Sequence, residues 1–350
     1  MKIVINDIAA SIGGALTILR SFYQFIKQHD TENEYVFLLS DYYIEETENI
    51  HVLVFPEVKK SKPKKILFDF LTGKNVINQL SPDYVLSLQN IITFGVKARQ
   101  GVYIHQAIPF QRVKRFSLLK TEERGFAVYQ WVIGSIIKLS ARCADDVFVQ
   151  TNWMKRAVGE IARAKEQKIH VVPVATQPFP AIDKVAFQNN VFFYPATADS
   201  IYKNHKCIYN AIHELNEAGV VDFEVILTLD KASARNIQYV GTLSRKEMAV
   251  FYQTATLLFP SYIETVGLPL EEAKSFGTLI FAADCEYAHE VLDTYENAFF
   301  FDPMHSKELA LLMQKALDGE LYPKNCFGEK TRERETWERL LKHIECCSIV

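Results

Sequence analysis

The fold is decided by the stretch Pro260-Ser-Tyr-Ile-Glu264-Thr-Val-Gly267-Leu-Pro-Leu-Glu-Glu272-Ala-Lys-Ser-Phe-Gly277 of the 350-residue chain. Just before it, the apolar run Ala255–Phe259 predicts a strand. Pro269 suits the first position of a helix, because its missing N–H needs no partner there. The stretch therefore predicts a strand that passes through a glycine-containing turn directly into a helix, the repeating unit of an α/β protein.

Two glutamates, Glu264 and Glu272, flank this turn. The main-chain N–H groups of Val266, Gly267 and Leu268 are expected to point out of the helix start and to form a site for phosphate. A carboxylate on either side of a phosphate site is explained if hydroxyl groups flank the phosphates, as in a sugar nucleotide. We expect Glu264 to hold hydroxyls of the sugar and Glu272 to hold the two ribose hydroxyls, through charge-assisted hydrogen bonds.

The wider frame around the two glutamates resembles the donor-site motif of the retaining glycosyltransferases of family four, which are glycosyl transferases of group 1 with the GT-B fold. The parts of the frame are Pro260-Ser261, Gly267-Leu268-Pro269, Glu272-Ala273, Glu290 and Phe301-Asp302-Pro303. A bare pair of glutamates at this spacing is common by chance, but the framed motif is much more specific. The resemblance implies two Rossmann-like domains that face each other across a cleft.

Short β-branched and aromatic runs recur along the whole chain and alternate with helical patterns. They are Ile3–Asn6, Tyr35–Leu39, Val52–Phe55, Tyr84–Leu88, Val102–His105, Val147–Gln150, His170–Val174, Val191–Pro195, Phe223–Leu229, Ile237–Val240, Thr256–Phe259, Leu279–Ala282 and Ala298–Phe301. Continuous apolar strands that alternate with helices indicate parallel sheets covered on both faces. The predicted fold class is therefore α/β, with two doubly wound, Rossmann-like domains.

The best break in this pattern is the proline-containing stretch 173–187, where the periodicity fades. With the resemblance, we expect an N-terminal acceptor-binding domain over residues 1–175, a linker over 176–187 and a C-terminal nucleotide-sugar-binding domain over 188–330. Residues 331–350 predict a helix, which either packs back across the domains or is a plain terminal helix.

Composition is typical of a soluble globular protein, with 49% hydrophobic and 23% charged residues. The net charge of −3 is unevenly distributed: residues 1–175 hold 23 Lys and Arg against 17 Asp and Glu, whereas residues 176–350 hold 16 against 25. A basic N-terminal half favours an anionic partner, such as a membrane leaflet or a lipid diphosphate. The excess is too small for a dedicated nucleic-acid binder, so no nucleic-acid partner is expected.

The chain begins directly with a strand, without a signal peptide, and its six cysteines lack metal or disulfide spacing. The longest apolar stretch, Phe126–Leu139, is interrupted by polar residues and is too short to span a bilayer. We therefore expect a cytoplasmic protein with reduced thiols. The basic segment 112–120 before that stretch is explained equally well by docking on the anionic inner face of the cell membrane or by a solvated loop before a buried helix.

Two further candidate sites lie in the N-terminal half. Gly13 and Gly14 follow the first strand, and glycines at such a turn let a ligand approach the backbone closely, although a tight turn needs them too. His105 ends a predicted strand, where it is either a functional side chain or a hydrogen-bonded interior residue. The resemblance implies that the glycine loop faces the diphosphate and the acceptor. It also implies that His105 touches the donor sugar near the reacting carbon, as an orienting group.

Lys203 follows the first strand of the C-terminal half, where the resembling family has a lysine that grips the leaving diphosphate. The family also has an arginine a few residues earlier, but the window Ala196-Thr-Ala-Asp199 offers no cation. Lys206 and the helix start near Gly267 are the two candidates to supply the missing charge. Further on, Val240–Met248 is explained either by an edge for the nucleobase or by a helix cap at Ser244.

Departure of a nucleoside diphosphate builds negative charge on its β-phosphate, and preorganised positive groups there lower the barrier. The chain contains no Asp-x-Asp triplet to hold a divalent ion, so we expect no metal and no cofactor. The predicted catalytic residues are His105, Lys203 and Glu264.

The resulting prediction is a retaining, metal-independent glycosyltransferase of hexosyl or N-acetylhexosaminyl type, with a UDP- or GDP-sugar as donor. The acceptor is a carbohydrate, with a lipid-linked oligosaccharide for a surface polysaccharide such as capsule or O-antigen as one candidate. Retention by front-face attack rests on the resemblance alone. Two alternatives stay open: a sugar-nucleotide epimerase or hydrolase of the same fold, and a non-catalytic sugar-binding protein.

Overall fold

The computed structural model describes residues 1–11, 13–174, 178–324 and 333–348. Contacts divide the chain into two units. The first unit comprises Met1–Gln111, Gly125–Val174 and the C-terminal segment from Glu333. The second comprises Arg112–Arg124 and the segment Ala175–Arg332. The C-terminal helix, for which the sequence leaves two arrangements open, is therefore part of the first unit.

The first unit is built on a seven-stranded sheet with the order β3-β2-β1-β4-β5-β6-β7. Its strands are β1 (Lys2–Asn6), β2 (Glu34–Leu39), β3 (Ile50–Val54), β4 (Tyr84–Ser87), β5 (Arg99–Ile104), β6 (Asp146–Val149) and β7 (Ile169–Val171). All neighbouring strands run parallel. Because β1 lies between β2 and β4, the strand order reverses there, and the carboxyl ends of β1 and β4 form the place where such sheets bind ligands.

Helices join these strands in the first unit. They are α1 (Gly13–His29), α2 (Pro56–Lys59), α3 (Lys62–Leu67), α4 (Gly73–Gln79), α5 (Arg124–Val128), α6 (Gly134–Cys143), α7 (Asn152–Ala162) and α13 (Glu333–Ser348). Two π-helical turns, Phe68–Thr72 and Tyr129–Ile133, connect α3 to α4 and α5 to α6. A short 3₁₀ turn covers Glu166–Lys168.

The second unit is built on a six-stranded parallel sheet with the order β10-β9-β8-β11-β12-β13. Its strands are β8 (Val191–Tyr194), β9 (Glu224–Leu227), β10 (Ile237–Tyr239), β11 (Thr256–Phe259), β12 (Ile280–Ala283) and β13 (Ala298–Phe301). Its helices are α8 (His205–Glu217), α9 (Arg245–Thr254), α10 (Leu268–Lys274), α11 (Glu286–Val291) and α12 (Ser306–Leu317), with a 3₁₀ turn at Ile201–Lys203. Here the order reverses between β8 and β11, so the carboxyl ends of these two strands are the expected ligand site.

The prediction of two doubly wound α/β units is confirmed, and each of the thirteen predicted strands overlaps an observed one. Their apolar runs work as a signal because the strands are buried on both faces, as in β1, where Ile3, Val4 and Ile5 are fully buried. No helix in the described parts of the chain is long and apolar enough to cross a membrane.

The core of the first unit includes its C-terminal helix. Trp337, Leu340, Leu341 and Ile344 of α13 pack in one cluster with side chains of β1, β2 and α1. The Trp337 ring contacts Phe22 with centroids 5.2 Å apart, and its Nε1–H donates to Ser21 Oγ at 2.8 Å. This helix therefore closes the face of the sheet that α1 covers in part.

Candidate functional site

The strand-to-helix corner of the second unit is formed by the end of β11 and the start of α10. Gly267 precedes the helix with φ +77°, a left-handed conformation that favours glycine. A Cβ at this position would also lie 3.0 Å from the Tyr287 ring. Glycine has no side chain to cap the helix. Pro269 has no N–H and the Leu270 N–H donates to the Gly267 carbonyl at 2.8 Å, so the groups left for an anion at this corner are the N–H groups of Gly267 and Leu268. Because α10 has only seven residues, these groups rather than a long helix dipole would bind a phosphate.

Lys203 and Glu264 meet at the carboxyl ends of β8 and β11. Lys203 Nζ lies 2.5 Å from Glu264 Oε1, and Ser261 Oγ donates to the same oxygen at 2.7 Å. The two side chains are 23% and 18% exposed, so the pair is reachable from solvent but shielded. Glu264 Oε2 has no hydrogen-bond partner among the described residues. It remains available to accept hydrogen bonds from the hydroxyl groups of a sugar.

Asn204, which sequence reasoning did not single out, joins the parts of the motif. Its Nδ2 donates to the Pro260 carbonyl at 3.2 Å and to the Pro303 carbonyl at 2.8 Å. It has φ 58°, a left-handed conformation that asparagine tolerates better than most residues. Both prolines belong to the framed motif, so Asn204 fixes the Lys203 turn against them.

Glu272 lies one turn further along α10 and is 12% exposed. Arg245 Nη1 lies 3.1 Å from its Oε1, and the Tyr252 hydroxyl donates to its Oε2 at 2.8 Å. Burial holds the pKa of Tyr252 well above its ordinary value, so this hydroxyl remains a donor. The Arg245 guanidinium in turn lies 3.7 Å from the centre of the Phe179 ring. Glu272 is thus a carboxylate whose position is fixed from two sides.

Ser244 and Glu247 explain why Arg245 is in place. Their side chains and backbone form a reciprocal capping box at the start of α9. Of the two explanations that the sequence left for Val240–Met248, the helix cap is therefore present. The cap makes Arg245 the first residue of α9.

A further cation lies against the loop where the resembling family has its arginine. Lys231, from the segment after β9, has its Nζ 2.5 Å from Asp199 Oδ2. His205 Nδ1 lies 3.4 Å from the other oxygen of Asp199. Burial lowers the pKa of His205, which keeps it neutral near pH 7. Lys206, the candidate from sequence, is exposed on α8.

The other predicted residues belong to the first unit. His105 lies one residue beyond β5, with its Nε2 3.0 Å from both the Leu88 carbonyl and Asn90 Nδ2. The carbonyl only accepts and the Asn90 amide nitrogen only donates, so these two contacts favour opposite tautomers of the ring. Burial lowers the pKa of His105 to about 4, so the ring is neutral at pH 7. Gly13 and Gly14 open α1, and a Cβ at either would meet nothing described within 4 Å.

One group in the described chain, Asp146, His170 and His343, has ligand atoms close enough together to hold a metal, all within 4.8 Å. Arg99, however, donates to both Asp146 oxygens at 2.9 and 3.0 Å, and the Tyr84 hydroxyl donates at 2.8 Å. A metal ion would meet this guanidinium at close range. The cluster is better explained as an anchor, in which His343 Nε2 of α13 lies 3.0 Å from Asp146.

Comparison with known proteins adds a family match in the second unit. Residues 190–334 match the model of the family described as glycosyl transferases group 1. The O-antigen chain mannosyltransferase RfbU of Salmonella typhimurium is 20% identical over 288 residues, which cover 75% of this chain and 81% of the relative.

Solved structures resemble the chain over its full length. The lipopolysaccharide outer core galactosyltransferase WaaB superposes with a TM-score of 0.62 at 16% identity, covering 100% of this chain and 99% of its own. Anabaena Alr3699/HepE in complex with UDP-glucose superposes with a TM-score of 0.59 at 14% identity, covering 100% and 98%. At these identities the likeness shows the fold. The fold and the matched domain together support a glycosyltransferase with the two-domain GT-B architecture.

Proposed function

We propose that this protein is a retaining glycosyltransferase that moves a hexosyl or N-acetylhexosaminyl group from a UDP- or GDP-sugar to a carbohydrate acceptor. The observation that carries the proposal is the arrangement of Lys203, Glu264 and Glu272 around a helix start led by Gly267. A cation beside uncapped N–H groups suits a diphosphate, and the two carboxylates suit the alcohols at its two ends.

Each group has a distinct role in the proposed reaction. Lys203 and the N–H groups near Gly267 stabilise the charge that develops on the β-phosphate as the sugar leaves. Glu264 accepts hydrogen bonds from hydroxyls of the sugar through its available oxygen, and Glu272 accepts hydrogen bonds from the ribose hydroxyls. The acceptor hydroxyl bonds to the anomeric carbon on the face that the phosphate leaves, and its proton passes to the departing phosphate oxygen. Configuration is then retained, and these steps require no metal ion.

His105 has the character of an orienting group in this proposal. Its Nε2 is engaged by Leu88 and Asn90, and Nδ1 of the neutral ring can form a hydrogen bond with a sugar hydroxyl, which is able both to donate and to accept. A pKa of about 4 makes it a weak base. We assign it to positioning the donor sugar, with Gly13 and Gly14 giving the diphosphate and the acceptor close access to the backbone.

Lys231 supplies a second positive charge in this scheme, in place of the arginine of the resembling family. Its ion pair with Asp199 places it beside the loop 196–199, where that arginine would lie, and its side chain is 41% exposed. Because exposed charges are screened, we expect Lys231→Ala to weaken nucleotide binding by roughly 0.5–1 kcal/mol. The effect should be clearly smaller than that of Lys203→Ala.

The central experiment measures transfer by purified variants. First, a thermal-shift panel of nucleoside diphosphates and their sugars identifies the donor, since a ligand at 100 times its Kd adds about 2.7 kcal/mol to stability. Lys203→Ala and Glu264→Ala should then abolish transfer. The matched controls Lys307→Ala and Glu217→Ala, at exposed positions of the same unit, should be fully active. Wild-type turnover in either site variant would refute the assigned roles.

Four further measurements test the details of the proposed reaction and separate it from the alternatives. NMR of the product sugar reports whether configuration is retained, and activity in EDTA reports whether a metal is needed. Incubation with donor alone distinguishes a transferase from an epimerase or hydrolase, because a transferase needs an acceptor for rapid turnover. A non-catalytic sugar-binding protein would bind the free sugar as well as the nucleotide sugar.

We place the reaction in surface-polysaccharide synthesis, with a lipid-linked acceptor, at the inner face of the cell membrane. The support is the basic N-terminal half together with apolar side chains that face solvent: Leu119 is 91% exposed and Trp131 51%. Such a mixture suits an anionic bilayer surface. Flotation with vesicles containing anionic lipid tests it; equal recovery with neutral vesicles would contradict the charge argument.

A further inference from the structure

A cavity of about 300 Å³ opens in the first unit, at the carboxyl ends of β1 and β4. Ile8 and Ala9, just after β1, and Gln89 and Ile91, just after β4, contribute to its lining. The strand order reverses between these two strands, and this is where doubly wound sheets bind ligands. Its volume lies at the lower end of the range that is typical of small-molecule sites.

Both π-helical turns of the described chain form walls of this cavity. Phe70 comes from the turn Phe68–Thr72, and Tyr129 and Ile133 come from the turn Tyr129–Ile133. Such turns are rare and occur frequently at functional sites. Two of them, remote in sequence, meeting at one cavity point to a wall that is shaped for a ligand.

The walls are mainly apolar. Ile66, Phe70, Val128, Ile133 and Ile136 line the cavity, in addition to Ile8. Hydrocarbon would gain about 25 cal/mol for each Å² of apolar surface removed from water here. The walls therefore suit an alkyl or isoprenoid chain better than a free sugar, whose hydroxyls would lose hydrogen bonds to water.

The lining of the cavity includes two lysines, Lys59 and Lys65. Lys59 Nζ donates to Ser11 Oγ at 2.7 Å and to the Ala9 carbonyl. The buried carboxyl of Asp7 interacts with it electrostatically, but no carboxylate of the described residues lies within 4.0 Å of the ammonium group. The second lysine, Lys65, is already paired with Asp69 at 2.5 Å. The ammonium group of Lys59 has a third proton to donate. It is therefore placed to bind one anionic group.

We propose that this cavity binds the phosphate-proximal end of an amphiphilic acceptor, with its phosphate on Lys59 and the first part of its hydrocarbon chain between the two π-helical turns. Calling the ligand an acceptor rests on the proposed transferase function. The chemistry of the site does not: an apolar cavity whose lining includes one ammonium group with a proton left to donate selects a lipid phosphate over a neutral lipid or a free phosphate. The expected acceptor is therefore a lipid phosphate, and Lys59 and the residues of the two π-helical turns would bind it.

Isothermal titration with octyl phosphate, octanol and inorganic phosphate tests the inference on the intact chain. Octyl phosphate should bind at least tenfold more tightly than either of the other two, because it alone satisfies both halves of the site. Lys59→Ala should weaken octyl phosphate at least tenfold and leave octanol unchanged. Ile136→Trp, which fills the apolar part, should weaken octyl phosphate and octanol alike.

Lys60→Ala is the matched control, because this neighbouring lysine is 65% exposed and paired with Glu57. It should bind octyl phosphate like the wild type. Equal binding of the three probes, or equal loss in Lys59→Ala and Lys60→Ala, would overturn the proposal. Nucleoside diphosphate binding, measured on the same samples, separates the two hypotheses: if it persists without octyl phosphate binding, only this inference fails. If octyl phosphate binds and no nucleotide does, the proposed transferase function fails instead.

Discussion

Removing the carboxylate of Glu272 should abolish discrimination between ribose and deoxyribose. In the structure each oxygen of Glu272 accepts one hydrogen bond, from Arg245 or from Tyr252. A carboxylate oxygen has two acceptor positions, so one on each oxygen remains for the two ribose hydroxyls. A hydrogen bond to a charged group contributes about 1.5–3 kcal/mol, which corresponds to about 10- to 150-fold in Kd.

The assay is a double-mutant cycle between protein and ligand. The nucleoside diphosphate that binds best and its 2′-deoxy counterpart are titrated calorimetrically into wild type, Glu272→Ala and the exposed control Glu217→Ala. Wild type and control should prefer the ribose form at least tenfold, whereas Glu272→Ala should bind both forms equally weakly. Arg245→Met should reduce the preference only in part, because Tyr252 still holds the carboxylate.

The reasoning would be refuted by a particular outcome. If Glu272→Ala lowered affinity for both nucleotides but kept the wild-type ratio between them, the carboxylate would not contact the 2′-hydroxyl. Circular dichroism on the same samples guards against misfolding, since Tyr252 and Arg245 lose an acceptor in this variant.

Other predictions concern stability and are measured by urea denaturation. Burial raises the pKa of Asp7 to about 7. The folded protein therefore loses stability as the pH rises from about 4 to 7, because the unfolded chain ionises this carboxyl more easily. Asp7→Asn should raise the free energy of unfolding at pH 8 by on the order of 2–4 kcal/mol and change it little at pH 4. Asp146→Asn should cost about 1–3 kcal/mol, since Arg99 and the Tyr84 hydroxyl lose a charged acceptor. The pKa of Asp146 is held well below its usual range, against the effect of burial, by hydrogen bonds from His170, His343, Arg99 and Tyr84, so that deficit should shrink as pH falls below about 4. Gly267→Ala should lower the free energy of unfolding by about 1–3 kcal/mol, because alanine is strained at a left-handed φ. An unchanged urea midpoint would contradict the corresponding account, at pH 8 for Asp7→Asn and at pH 7 for the other two variants.

The sequence predicted the features that depend on local pattern. The strands are visible because buried parallel strands need continuous apolar runs, and the corner at Gly267 is visible because a proline and a glycine mark it. Lys203 and Glu264 were both identified, and the structure adds that they lie in contact. Their roles stay predictions.

The partners that hold these side chains could not be predicted in the same way. Arg245 and Tyr252 lie 27 and 20 residues before Glu272, and Lys231 lies 32 residues after Asp199. The local sequence pattern does not link such pairs. They come into contact only because the fold brings the loops after different strands together. The cap at Ser244 was the one available signal, and it located Arg245 at a helix start without indicating what it contacts.

The first unit is discontinuous, and this affects how the chain can be synthesised and divided. Part of its core, including Trp337 and Ile344, comes from α13, which follows the whole second unit in sequence. During translation this helix leaves the ribosome after the whole second unit, so the N-terminal sheet has an uncovered apolar face while that unit is made. A truncation after Val174 would leave that face permanently open. Supplying residues 333–350 through a designed linker should restore a soluble, independently folding N-terminal half.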